Sequence, residues 1–561
     1  MDRKKSVAFA VSIFTLLIIL SGCANQLPPG GGELDKTPPE IVEAYPPSGT
    51  TNFKDDYFYF DFSEYVDKRS FRDAIFISPA IEGQMEFSWT GKSVEIYFPE
   101  KFKDSITYVV TIGTDVEDLN NRNKMAQSYN LIFSTGDKID TRVISGKVFN
   151  TKPEGIMIYA YKLKDAQENV FKRKPDYISQ TGSDGTYSLK GLAKGFYRIS
   201  AVQDALKDFE FQPEQDKIGI PPFDVELTDT DTLRAGLNFF VSTVDTVKPR
   251  LLSATMTDKN HILISVSEEF DSTIITSLNF AIVDSTSDSV YLPRHAYKGN
   301  TKSTEMVLTT SDDLKEENNI YLFVNRLTDK NKNETLNDYS KITVSTKPDT
   351  LPSKLFKADP PAFNSISDID NQQFVFSFDD AFDSNLVKQA IELTDSMKNL
   401  YSYAIKFLDD ATFSITSKKS LSPKKNYQLK INLKNLRDPA GNFRDSIYTY
   451  NFRTISGFDF TGLSGSLKNA VLSLNPVLVI ASTTNPKAIY RTKPDSLFNF
   501  SFERVEAGNY NLICFYDEDK NERYSYGWPY PFGFSERFYF YPDPIDLKPR
   551  WTLTDVVFEL K

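Results

Sequence analysis

The chain has 561 residues and a net charge of −11, and its aromatic content of 14 % is dominated by 44 Phe and 29 Tyr. That acidity argues against nucleic acid as a partner, and the length exceeds what one hydrophobic core organises, which predicts three to five domains of about 100 residues. Only two histidines and two cysteines are present, so catalysis or metal binding that relies on several of either is excluded at the outset. In chain order, a positive cluster (Arg3, Lys4, Lys5) precedes an apolar run from Val7 to Leu20. The run is too short to span a bilayer comfortably and reads as a signal peptide over residues 1–22.

The run ends in Leu20-Ser21-Gly22-Cys23, which resembles the lipobox of bacterial lipoproteins. The resemblance implies a diacylglycerol on the Cys23 thiol and cleavage just before it, so that the membrane is contacted through an N-terminal lipid. Residues 23–36 then form the lipidated cysteine and a tether, whose Gly30-Gly31-Gly32 and polar neighbours bury nothing. Proteins exported to the surface of Bacteroidota commonly carry an acidic pair or triplet within a few residues of the lipidated cysteine. Here the first acid is Glu33, so the resemblance implies an outer-membrane protein facing the periplasm rather than the cell surface.

Beyond the tether two kinds of unit recur. The first opens near proline (Thr37-Pro38-Pro39, Asp245-Thr246-Val247-Lys248-Pro249, Asp349-Thr350-Leu351-Pro352). An alternating strand and an acidic turn follow: Phe60 to Asp67, Ile264 to Asp271 and Phe376 to Asp383, aligned without a gap. Each copy later gives a strand opened by Tyr108, Tyr321 or Tyr427, an Asp/Asn turn beginning at Asp118, Asp329 or Asp438, and a closing strand. Period-2 alternation with frequent turn signals, rich in residues that suit pleated surfaces, predicts antiparallel sandwiches. These units resemble the bacterial Ig-like domain of S-layer and Bacteroidota envelope proteins, over residues 37–137, 245–348 and 349–455.

The second unit opens with Ile144-Ser145-Gly146-Lys147-Val148 or Leu463-Ser464-Gly465-Ser466-Leu467. Later, the segment from Gly195 through Tyr197 to Asp204 superposes on the one from Gly508 through Tyr510 to Asp517. Together with the turn at Ser183-Asp184-Gly185, this order resembles the transthyretin-like domain, also called carboxypeptidase-regulatory-like, over residues 138–244 and 456–561. The fold class expected is therefore all-β: an elongated tandem of Ig-like and transthyretin-like antiparallel β-sandwiches. The whole order resembles a group of Bacteroidota Ig-domain lipoproteins.

Neither His261 nor His295 sits in a recognisable nucleophile motif, and two histidines with one remaining thiol starve a zinc site. With Cys23 acylated, Cys514 has no disulfide partner, and its setting, Leu512-Ile513-Cys514-Phe515, is that of a small buried hydrophobe. Asp517, Asp519 and Asn521 place oxygen ligands at alternate positions, which points to calcium. The match to an EF-type loop is partial, because Glu522 stands where glycine is needed and Trp528 where a bidentate glutamate closes the shell. The proline-broken aromatic segment that follows offers Trp528, Tyr530 and Phe532 as rings that either cap a core or bind a glycan or protein partner. Asp-Ser/Thr motifs resembling the O-glycosylation sequon of exported Bacteroidota proteins give the acceptors Ser105, Thr232, Thr246, Ser272, Ser285, Ser289, Thr350, Ser396, Ser446 and Ser496. The same dipeptides are also natural turn formers.

Three functions are weighed on these residues: a non-enzymatic, lipid-anchored scaffold or binding protein of the outer membrane; a surface adhesin or carbohydrate-binding lipoprotein; and a hydrolase using carboxylates. No resident cofactor beyond calcium is expected, and any further partner is an envelope protein or a glycan.

Overall fold

The computed structural model describes residues 34–560 apart from 82, 99–101, 363, 364, 371 and 456–459. The signal peptide, Cys23 and the tether up to Glu33 lie outside the described residues. Among the described residues no helix is long and apolar enough to cross a membrane.

The alternation read from the sequence becomes alternation of burial. In the strand Tyr57–Phe62, Phe58, Phe60 and Phe62 are buried while Tyr57, Tyr59 and Asp61 are half-buried, and the strand Phe374–Phe378 repeats the pattern with Phe374, Phe376 and Phe378. Burying such rings contributes about 1.5–3 kcal/mol each and fixes which face of the sheet points inward.

The chain forms two compact units. The first comprises the described residues up to 203 together with 208–210 and 224–241. Its opening sandwich faces the sheet Ile41–Tyr45, Tyr57–Phe62, Ser93–Tyr97, Glu86–Thr90, in that order, against Ile75–Ser78, Thr107–Ile112 and Tyr129–Ser134. The next places Tyr177–Gln180, Met157–Lys162 and Gly195–Gln203 opposite Thr186–Leu192 and Arg142–Phe149, with Leu233–Arg234 and Phe239–Phe240 running parallel to Arg142–Phe149.

The second unit, residues 204–207, 211–223 and those from 242 on, holds three more β-cores. In the first of these the expected pair of sheets is one continuous eight-stranded sheet. Leu251–Met256 pairs antiparallel with His261–Val266 on one side and parallel with Glu334–Thr343 on the other, which joins the two halves. The second sets Leu355–Asp359, Phe374–Phe378, Thr412–Ser417 and Tyr403–Asp409 against Ser365–Ser367, Ile447–Thr454, Asn426–Asn432 and Ile391–Asp395. The last sets Asn499–Glu506, Phe460–Lys468 and Leu553–Glu559 against Ile489–Thr492, Pro476–Ser482, Gly508–Tyr516 and Phe538–Phe540.

The acidic turns do more than reverse the chain. Asp67, Asp271 and Asp383 each cap a short helical segment: Lys68–Asp73, the 3-10 turn Ser272–Ile274 and Ser384–Ala390. Each carboxylate accepts a hydrogen bond from a backbone N–H, those of Ser70, Thr273 and Asn385. An N-cap aspartate satisfies a donor that the first turn leaves open, so one aligned acid starts a helix in every copy. The sequence reading placed only a turn there, because segments of three to seven residues are too short to show helical periodicity.

Candidate functional site

The strand ends of the Ig-like copies bring together acids that lie far apart in sequence. In the third sandwich Asp245, Glu268 and Asp329 place a carboxylate oxygen each within 4.8 Å of one another. Burial, reinforced by the Asp245 and Asp329 carboxylates, pushes Glu268 up to about 7, and its Oε1 is buried without a hydrogen-bond partner. The equivalent acids are Asp35, Glu64 and Asp118 in the first sandwich, where burial together with Asp118 and Asp35 raises Glu64, and Asp349, Asp380 and Asp438 in the fourth.

An asparagine clamps each group. The side-chain amide of Asn123 donates to Asp35 O at 3.0 Å, that of Asn333 to Asp245 O at 2.9 Å, and that of Asn442 to Asp349 O at 3.5 Å. The backbone N–H of each asparagine meanwhile donates to the turn aspartate, Asp118, Asp329 or Asp438. The Asp/Asn turn thus ties the opening segment of each copy to the strand that follows it.

The fourth sandwich's group differs because His261 of the third sandwich enters it. His261 is buried, with Nε2 2.9 Å from Asp380 Oδ1 and Nδ1 2.9 Å from Asp258 Oδ1. Burial alone pulls the imidazole down, but the hydrogen bonds and charges of Asp258 and Asp380 outweigh it and push the group up to about 10. Asp380 also accepts from Tyr297 Oη at 3.3 Å, and a small apolar cluster of Tyr297, Ala381 and Ala411 packs alongside. His295 instead contacts Thr309 Oγ1 at 2.8 Å.

In the last domain the loop named from sequence brings Asp517 and Asp519 together, and Glu536 is a third acid within 4.8 Å of both. Asn521 donates its amide to Asp519, and the backbone N–H groups of Asn521 and Glu522 donate to Asp517. Glu536 accepts from the N–H groups of Glu518 and Ser525, yet burial, joined by Asp519 and Asp517, still pushes it up to about 7. Glu536 comes from the irregular segment just before the strand Phe538–Phe540, beyond the reach of a motif confined to consecutive residues.

The aromatic segment divides between core and surface. Tyr524 packs edge-on against Phe515 and Phe538 in the interior, whereas Trp528 is 44 % exposed and Phe534 47 %. Trp528 and Tyr530 line an open cleft of about 740 Å³ together with Pro531, Lys248, Lys332 and Asp245. Phe532 turns aside and packs edge-on against Phe534, with ring centroids 4.9 Å apart.

Among the ten glycosylation acceptors, Ser289 is half-buried and the others are exposed. Six of the preceding aspartates, Asp245, Asp271, Asp284, Asp349, Asp395 and Asp495, accept a hydrogen bond from the N–H two residues on. These are Asx turns, so turn chemistry by itself accounts for much of the motif's frequency.

Fold and sites together define a modular all-β protein with Ig-like domains. The family described as bacterial Ig-like domain matches residues 35–135 and 349–454, two of the three segments whose sequence resembles that domain. No curated protein matches the chain by sequence. Among solved structures, domains 1–6 of the surface layer protein SbsC are 9 % identical with a TM-score of 0.17, covering 85 % of this chain and 64 % of that one. The N-terminal part of SbsC, described as a bacterial S-layer protein, is 12 % identical with a TM-score of 0.17, over 37 % of this chain and 44 % of that one. CopC from Methylosinus trichosporium OB3b is 16 % identical with a TM-score of 0.16, over 18 % of this chain and 94 % of that one. This chain therefore spans less than two thirds of either SbsC chain.

Proposed function

We propose that the chain is an exported lipoprotein, held through Cys23 to the outer membrane and facing the periplasm, whose β-domains act as a non-enzymatic scaffold or binding array. In this reading the two units that lie between and after the Ig-like copies are transthyretin-like, as in the Bacteroidota lipoproteins the sequence resembles. The observation that carries it is a succession of β-sandwiches, each with its own buried core, behind a lipobox-type segment and a glycine tether. The chemistry of the histidines agrees: His261 is engaged by two carboxylates and His295 by Thr309. Expressing the full chain with globomycin, or as Cys23→Ala, is expected to leave a precursor that keeps residues 1–22, and Cys23→Ala is expected to abolish incorporation of labelled palmitate. Normal processing in both conditions, or palmitate retained in Cys23→Ala, overturns the anchor. Crosslinking in intact cells followed by affinity purification is expected to recover envelope proteins, and protease added to intact cells is expected to leave the chain uncut.

A second reading, a carbohydrate-binding surface lipoprotein, draws on the cleft lined by Trp528 and Tyr530, since exposed rings stack on sugar faces. It requires that the purified chain bind at least one glycan on an array and that Trp528→Ala abolish that binding.

A further inference from the structure

We propose that His261, Asp349, Asp380 and Asp438 form a binding site for one divalent transition-metal ion where the third sandwich meets the fourth. His261 Nε2 and one oxygen each of Asp349 and Asp380 lie within 4.8 Å of one another. The 2.9 Å between Nε2 and Asp380 Oδ1 matches the edge of about 3 Å between neighbouring ligands in a shell with bonds of about 2.1 Å. The ion takes the place of the Nε2 proton.

The independent observation is Asp438. It is only 5 % exposed. Its Oδ1 accepts from the Asn442 N–H at 2.7 Å, but Oδ2 is buried with no hydrogen-bond partner. The 4.8 Å group itself comprises His261, Asp349 and Asp380; in the third sandwich the aspartate matching Asp438, Asp329, converges on the counterparts of Asp349 and Asp380, and by that correspondence we place the bare oxygen of Asp438 at the edge of this group. A buried carboxylate oxygen left without a donor is destabilising, and a bound cation offsets that cost.

The opposite face of the histidine is prepared as well. Nδ1 lies 2.9 Å from both oxygens of Asp258, and a metal-binding imidazole characteristically donates its other N–H to a carboxylate, which fixes the ring and the tautomer. One imidazole with three carboxylates selects zinc, manganese or cobalt, whereas calcium and magnesium take oxygen-only shells. The acid groups around Glu64 and Glu268 lack an imidazole among the described residues, so the assignment is confined to the fourth sandwich.

The test uses the full mature chain in detergent. Titration with zinc chloride, followed by calorimetry, is expected to give one ion per chain, with the affinity at least 100-fold weaker in His261→Gln and 10- to 100-fold weaker in Asp258→Asn. Glu268→Gln, at the matching position of the neighbouring sandwich, is expected to bind as the native chain does, and a tenfold excess of calcium is expected not to displace zinc. Loading the native chain with cobalt supplies a readout that needs no variant: a strongly shifted, slowly exchanging imidazole N–H resonance from His261, shielded by Asp258. No zinc uptake, unchanged affinity in His261→Gln, displacement by calcium, or a cobalt-loaded chain without that resonance each overturn the site.

Discussion

At the scale of single residues, the two copies of the second unit match in chemistry as well as spelling. Gly146 and Gly465 were read only as part of an aligned opening strand. In the structure a Cβ on either would lie 1.9 Å from a carbonyl oxygen of the closing segment, Leu237 O or Val556 O. Gly465→Ala is therefore expected to destabilise the last domain by about 2–4 kcal/mol, seen as a lower midpoint in urea denaturation followed by Trp fluorescence. The aligned Tyr197 and Tyr510 likewise donate to the carbonyl four residues earlier, Ala193 O at 2.8 Å and Glu506 O at 2.9 Å. A sequence shows that such a glycine or tyrosine repeats, but the glycine's neighbour comes from a distant closing segment, and the tyrosine meets the carbonyl four residues back only once the turn between the two strands forms.

Glu268 gives the residue-scale pH prediction. Its folded-state pKa of about 7 lies above the ordinary carboxylate value, so the unfolded chain releases this proton more readily. The stability that Glu268 supports is present below about pH 4.5 and is lost as pH rises through about 7. Glu268→Gln is expected to flatten that decline and to be more stable than the native chain by on the order of 1 kcal/mol at pH 8, with little difference at pH 4. A variant that loses stability equally at both values would show that the carboxyl acts through packing alone.

At the scale of elements, strands were the most legible feature, because alternation reports which side chains face inward. Short helices, and the eight-stranded continuity of the third sandwich, were not legible. The first depend on a cap and a single turn, and the second on a parallel contact of Ala254 and Thr255 with Ile342 and Thr343, which leaves no mark in either segment's own pattern. The Asp/Asn turns were found as turns, but their function as clamps needed the third dimension. Asn333→Ala removes donors to Asp245 O and to Asp329 Oδ2 and is expected to cost about 1–2 kcal/mol. Hydrogen exchange is expected to speed up in residues 245–251 ahead of the remainder of that sandwich. Within residues 517–521 the sequence shows Asp517 and Asp519, which do converge, but not Glu536, which joins them from the segment before the strand Phe538–Phe540.

At the scale of the whole chain, no disulfide is available to the described residues. Cys514 is the single cysteine among them, and burial pushes its thiol up to about 12. Unfolding midpoints are therefore expected to be the same with and without a reducing agent, and the native thiol to resist Ellman's reagent until the last core opens. With two compact units and several separate cores, calorimetry is expected to resolve more than one transition.

One arrangement recurs in every sandwich: a segment near the start lies beside a closing segment and runs in the same direction. The contacts are Thr50 with Phe133, Val143 with Leu233, Ala254 with Ile342, Ser365 with Phe452, and Gly465 with Val556. Chain ends joined in this way leave a module at opposite poles, so a pull along the backbone loads the hydrogen bonds between them in shear, all at once, instead of unzipping them singly. Each module would then hold its length under tension until it ruptures abruptly, a mechanical property suited to a strap more than to a hinge.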